Sequence, residues 1–188
     1  MAAPIPENHS LRRLFADVTH RSFYSRLGWY DSRIGDYIAN MLTHFTTIDN
    51  LYKIRSSGEK SLKEVGEMLL EADILLEAGS FEREREVHRH IADFTLFMIG
   101  IFPEYLRRIK ALQLIHHSDF LIDYVKVGKK SYRNVSEFDY GEFRESVPLF
   151  RKLSENFEVC VVGLGYIRDE LERMKSAKLH QAEQILLN

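Results

Sequence analysis

Glu86, His90 and Asp93 stand four and three residues apart in the stretch from Ser80 to Ile101, SFEREREVHRHIADFTLFMIGI. On a helix that spacing places two carboxylates and an imidazole along one flank. Such a set suits Fe, Mn or Zn, with Asp49 from an earlier helix completing the shell and an open position for water or oxygen. A metal-dependent helical-bundle enzyme is therefore one reading. The paired Glu-x-x-His motif of ferritin-like di-metal sites is absent, since neither His88 nor His90 follows a Glu at three residues. The plainer reading is a polar layer in which His90 and Asp93 hydrogen-bond each other and nearby tyrosines or arginines. Buried ionisable groups left without partners would cost on the order of several kcal/mol.

The remaining candidates are less specific. His88 is two residues from His90 and points to another side of a helix, so H-R-H is no chelating pair. His116 and His117 with Asp119 and Asp123 fall at a predicted helix break, where solvated surface groups are the commoner explanation. Cys160 lies within an apolar pattern and reads as a packed residue. V-V-G-L-G-Y offers Gly163 and Gly165 but lacks the third glycine and the lysine of phosphate-binding loops. Close helix packing explains these glycines, and so would a flat ligand of tetrapyrrole type approaching the backbone. Arg12, Arg13, Arg21 and Arg26, with Lys129, Lys130 and Arg133, would engage phosphates only if the fold gathered them. In a chain of formal charge −2 they read first as solvated faces.

The elements that must position these groups are helical. Ser80 is placed to cap a central helix whose first turns carry Glu82, Glu84 and Glu86, and Gly100 and Pro103 mark its end. Val87, Ile91, Phe94, Met98 and Ile101 form its buried stripe, and its second half is apolar nearly all round, as in a central helix. Before it, Leu11, Leu14, Phe15 and Val18 predict a helix from Ser10 to about Gly28. Ile34, Ile38, Met41, Phe45, Ile48 and Tyr52 predict a second, continuous from about Asp31 to Arg55. Ser61 and Glu64 form a capping box for a third, in which Gly66 suggests a close crossing. After Pro103, two helical segments flank a break near Ser118, the second ending in the basic run Gly128 to Arg133. A long ordered loop is expected over Asn134 to Val147. From Pro148, the residues Phe150, Leu153, Phe157, Cys160, Leu164, Ile167, Leu171 and Met174 alternate by three and four, a coiled-coil-like seam of about four heptads.

These elements predict an all-α, single-domain bundle of about six to eight helices with a long C-terminal seam helix. Residues 1–188 form one domain, with a flexible leader at 1–9 and an amphipathic tail at 176–188. The one cysteine excludes an intrachain disulfide and a Cys-rich zinc site, and makes a reducing cytoplasm the default location. With 26 basic and 28 acidic residues interspersed, no nucleic-acid partner is expected. No run reaches the ~18 apolar residues of a membrane span. The leading functional expectation is a non-enzymatic binding or assembly protein that self-associates or takes a helical protein partner through the seam and tail.

Overall fold

The computed structural model describes residues 6, 9–56, 59–72, 79–112, 119 and 122–186, with side chains described up to residue 177. Among these residues the chain is an all-α bundle of nine α-helices, and its one β-feature is an isolated bridge between Arg55 and Ser61. α1 (Ser10–His20) runs on through a π-helical turn, Arg21–Arg26, to Gly28, whose φ of 71° ends the segment in the left-handed region. α2 (Ser32–His44), α3 (Ile48–Leu51) and α4 (Val65–Glu71) lead to the central α5 (Phe81–Ile101). α6 (Pro103–Ala111), α7 (Tyr124–Glu137), a 3-10 segment at Gly141–Ser146, α8 (Val147–Glu155) and α9 (Phe157–Leu186) complete the order. No described helix is long and apolar enough to cross a membrane.

α5 occupies the centre for the reason its sequence implies. Its N-terminal turn is capped by Ser80 Oγ, which accepts from the Arg83 N–H at 3.1 Å, and from His90 to Met98 every residue is buried. It packs most extensively against α7 and α9. One contiguous apolar cluster joins Val87, Ile91 and Phe94 of α5 to Ile34 and Ile38 of α2, Tyr132 of α7, and Phe157, Cys160, Leu164 and Ile167 of α9. The close approach of α7 depends on Gly128, where a β-carbon would lie 2.4 Å from the Phe157 ring and 2.6 Å from Thr95 Oγ1.

Several sequence expectations need correction. The predicted helix from Asp31 to Arg55 breaks after His44, because Thr46 Oγ1 donates to the Thr43 carbonyl at 2.6 Å and Asn50 Nδ2 to the His44 carbonyl at 2.9 Å. Side chains here satisfy the carbonyls that another helical turn would have used, and Thr47 turns extended. The seam likewise breaks at Asn156, whose side chain donates to the Lys152 carbonyl at 2.9 Å, so α8 and α9 are separate helices. Each break adds one helix to the bundle.

Ser61 is not a cap. It pairs with Arg55 and donates to the Tyr52 carbonyl, and α4 begins at Val65. The expected long loop after Asn134 is short, since α7 continues to Glu137 and the 3-10 segment follows from Gly141. α9 is continuous for 30 residues, about 45 Å, into the segment expected as a tail. The leader other than Pro6 and His9, the His116–His117 break, and the tail side chains beyond residue 177 lie outside the described residues.

Candidate ligand pocket

α2 presents Tyr37, Asn40, Met41 and His44, at steps of three, one and three, along one side of the helix. Opposite stand Arg89, His90 and Asp93 of α5, whose spacing puts them on the flank that faces α2. Because α2 stops at His44 and α3 is a single turn, no long helix closes the space between them. A cavity of about 530 Å³ remains, lined by these residues with Arg12 of α1, Thr43, Phe45, Asn50 and Lys53. That volume is in the range of small-molecule sites.

Its floor is a hydrogen-bonded polar cluster. Asp93 Oδ1 accepts from the Tyr37 hydroxyl at 2.6 Å and from the Tyr132 hydroxyl at 2.7 Å. Arg89 Nε donates to the Tyr37 oxygen at 3.3 Å and lies 3.8 Å from Asp93 Oδ2. Burial raises the Asp93 pKa above the ordinary carboxylate value, opposed by the Arg89 charge and the two tyrosine donors. Burial and the Asp93 charge push both tyrosine hydroxyls well up, so they remain donors. Arg89 is held fully protonated, chiefly by Tyr37 and then Asp93.

His90 is buried beside this cluster and pairs with the Leu51 carbonyl, 3.1 Å from Nε2. A carbonyl only accepts, so Nε2 carries the proton and Nδ1 the lone pair. Burial first and Lys53 second depress its pKa to about 3, which leaves a neutral ring at pH 7. His44 at the exposed edge is also shifted down, by partial burial and then by Lys53. On α1, Arg12 NH1 donates to Asn40 Oδ1 at 3.0 Å.

Of the four residues read as metal ligands, His90 and Asp93 line this cavity. Glu86 is exposed and lies outside it, accepting from Lys53 at 3.4 Å and from Arg83 at 3.1 Å. Asp49 is exposed on α3 and does not line the cavity. Among the described residues no three His, Cys, Asp or Glu side chains are grouped to hold a metal ion. His90 and Asp93 do not bond each other either: each has its own partners, a carbonyl for one and two tyrosines for the other.

The other candidates disperse. Cys160 is buried in the core and its thiol is pushed up to about 12 by burial, which makes it a poor nucleophile. Gly163 receives the Phe23 ring, which would stand 2.3 Å from a β-carbon there, so a side chain of this chain occupies the place considered for a flat ligand. The two basic groups stay apart: Arg12 reaches the pocket, Arg21 pairs with Glu170 and Arg26 lies over the Tyr166 ring, while Lys129, Lys130 and Arg133 line a separate shallow depression on α7, where Lys129 pairs with Glu158. A larger, more open depression of about 950 Å³ lies between the π-helical turn and α9. Its charges are matched in sign, with Arg21 and Arg173 both paired to Glu170, so it reads as a solvated ion-pair surface.

Tyr37, Asn40, Asn50, Lys53 and Arg89 escaped the sequence reading. The available signal was a polar stripe on α2, Tyr37, Asn40 and His44, beside the apolar one, matched by the polar flank of α5. A search for apolar periodicity discards such a stripe as solvent-facing.

No protein-family model matches the chain, and no curated protein or solved structure does. The fold and the cavity together define a class: a helical bundle with, among the described residues, a polar pocket set against its central helix.

Proposed function

We propose that this chain is a non-catalytic binding protein that holds a small polar molecule in the pocket between α2 and α5. The observation that carries the reading is that the pocket's floor is already fixed before anything binds: two tyrosines and an arginine hold Asp93, and a carbonyl holds His90. Asp93 and His90 are engaged in holding the floor, while Asn40, Thr43, His44, Asn50 and Lys53 line the rest. Fixed polar groups lower the ordering cost of binding. A thermal-shift screen of small polar metabolites tests it on the wild-type protein and Asn40→Trp, which fills the mouth from an exposed position. Compounds that raise the wild-type midpoint and not the variant's are expected. A screen without such compounds, or equal shifts in both proteins, would contradict the reading.

A second reading, assembly through α9, is supported by one observation. Leu171 and Met174 continue the seam but are only half-buried, while Phe157, Cys160, Leu164 and Ile167 are fully inside. Light scattering of the wild type and Met174→Glu addresses it: a dimer that the variant loses supports assembly, and a wild-type monomer removes it.

A further inference from the structure

The pocket's floor holds two acceptors that the described residues leave unused. Asp93 commits Oδ1 to the Tyr37 and Tyr132 hydroxyls, while Arg89 Nε stands 3.8 Å from its Oδ2, beyond hydrogen-bond reach. His90 commits its Nε2–H to the Leu51 carbonyl, which leaves the lone pair of Nδ1. Both residues are deeply buried, Asp93 being 8% exposed and His90 1%. Among the described residues, the side-chain polar atoms that are both sealed and without a partner are Thr19 Oγ1 and Arg85 Nε, so these two acceptors are not walled in. They open onto the cavity that Asp93 and His90 line, three residues apart on one flank of α5.

Resting on the pocket reading above, we infer that the ligand is a neutral polyol of monosaccharide class, two of whose hydroxyls donate to Asp93 Oδ2 and His90 Nδ1. An anion would set its own acceptors against both atoms. A protonated amine would meet Lys53 and Arg89, whose charges add to the dominant effect of burial in lowering the His90 pKa to about 3. Those cations are answered within the protein, Lys53 by Glu86 and Arg89 by Asp93 and Tyr37, so the lining carries no demand for a counter-ion. A hydroxyl both donates and accepts, which also suits the amides of Asn40 and Asn50 in the walls. Met41 and Phe45 add apolar surface for the carbon face of a sugar ring, and the cavity of about 530 Å³ has room for one.

Isothermal titration of the wild type with D-glucose, D-ribose and myo-inositol, and with glucosamine and glucuronate as charged counterparts, tests this. The tightest neutral probe is expected to bind about tenfold or more strongly than either charged one. Its binding is also read at His90: in ring ¹⁵N spectra the unprotonated nitrogen should move upfield as it accepts a hydroxyl, with that of His88 unmoved. Asp93→Asn keeps an acceptor for the two tyrosines and can place a donor where Oδ2 stood, so it should weaken the neutral probe by about tenfold or more in a variant that circular dichroism shows to be folded. Where that variant does not fold, the His90 nitrogen of the wild type decides. A charged probe as tight as the best neutral one would overturn the neutral class. A bound sugar that leaves the His90 nitrogen unmoved, or that binds folded Asp93→Asn equally well, would overturn the two acceptors as its recognition element. Silence from all three neutral probes, where the metabolite screen gives other ligands sensitive to Asn40→Trp, would overturn the polyol class alone. Silence in both experiments would remove the pocket reading with it.

Discussion

His88 and His90 are two residues apart on the same helix, and the two sides of α5 treat them differently. His88 faces α7, with Nδ1 3.4 Å from Ser131 Oγ and Nε2 3.1 Å from the Asn134 amide nitrogen. The amide donates, so the neutral ring accepts at Nε2 and carries its proton on Nδ1, the opposite tautomer to His90. Burial brings His88 to about 4 and His90 to about 3. Both rings are therefore neutral and paired. What separates them is the neighbouring helix: α7 runs unbroken for 14 residues past His88, drawn close at Gly128, whereas α2 stops at His44 and leaves the His90 side open among cations. A polar flank becomes a pocket where the helix packed against it is interrupted.

The largest expected effect strikes both sides together. Unfolded histidine titrates near 6.5, so between that value and the folded pKa values the unfolded chain binds more protons, and stability rises with pH. Stability should be complete above pH 6.5 and fall as pH drops toward 4 and then 3. The loss is on the order of several kcal/mol for the two rings together. Asp93, with its raised pKa, works in the opposite sense and offsets part of it. Urea midpoints from pH 7.5 to 4 read the effect. A flat profile would break the claim that both rings are buried and neutral.

Next in size, Asp93→Ala should destabilise by about 3 kcal/mol, because two buried tyrosine hydroxyls lose their acceptor. Ser131→Ala, on the His88 side, removes one long hydrogen bond and should cost under about 1 kcal/mol. Equal losses in chemical denaturation would erase the distinction between a floor built around a charge and a neutral network. Gly128→Ala sharpens it from the other side. Its β-carbon collides with Phe157 and Thr95, so a cost of about 2 kcal/mol is expected, with faster amide exchange along α7. The smallest effect is electrostatic: Lys53→Met should raise the pKa of His44 while leaving His88, whose neighbouring cation is Lys130, unchanged. Histidine-resolved NMR titration measures both.

Much of this architecture was legible in the chain. The change of α5 from charged to apolar marked it as central, and Ser80 and Pro103 gave its ends. The breaks at Thr46–Thr47 and Asn156 were not legible, because the apolar three-and-four rhythm continues straight through them while local side-chain bonds to carbonyls stop the helix. His90 and Asp93 were singled out correctly as groups needing partners, but the partners come from elsewhere in the chain. Tyr37 is 56 residues from Asp93, Tyr132 is 39, and Leu51 is 39 from His90, and only the packing order brings them together. Glu86 shares their helical flank and yet lies outside the cavity, since helical spacing sets direction and not depth.

The most direct test is a histidine ring ¹H–¹⁵N spectrum of the full-length protein at pH 7. Two neutral rings of opposite tautomer are expected, His90 protonated on Nε2 and His88 on Nδ1. The same tautomer in both rings, or a charged imidazolium at either, would contradict the comparison between the two sides of α5.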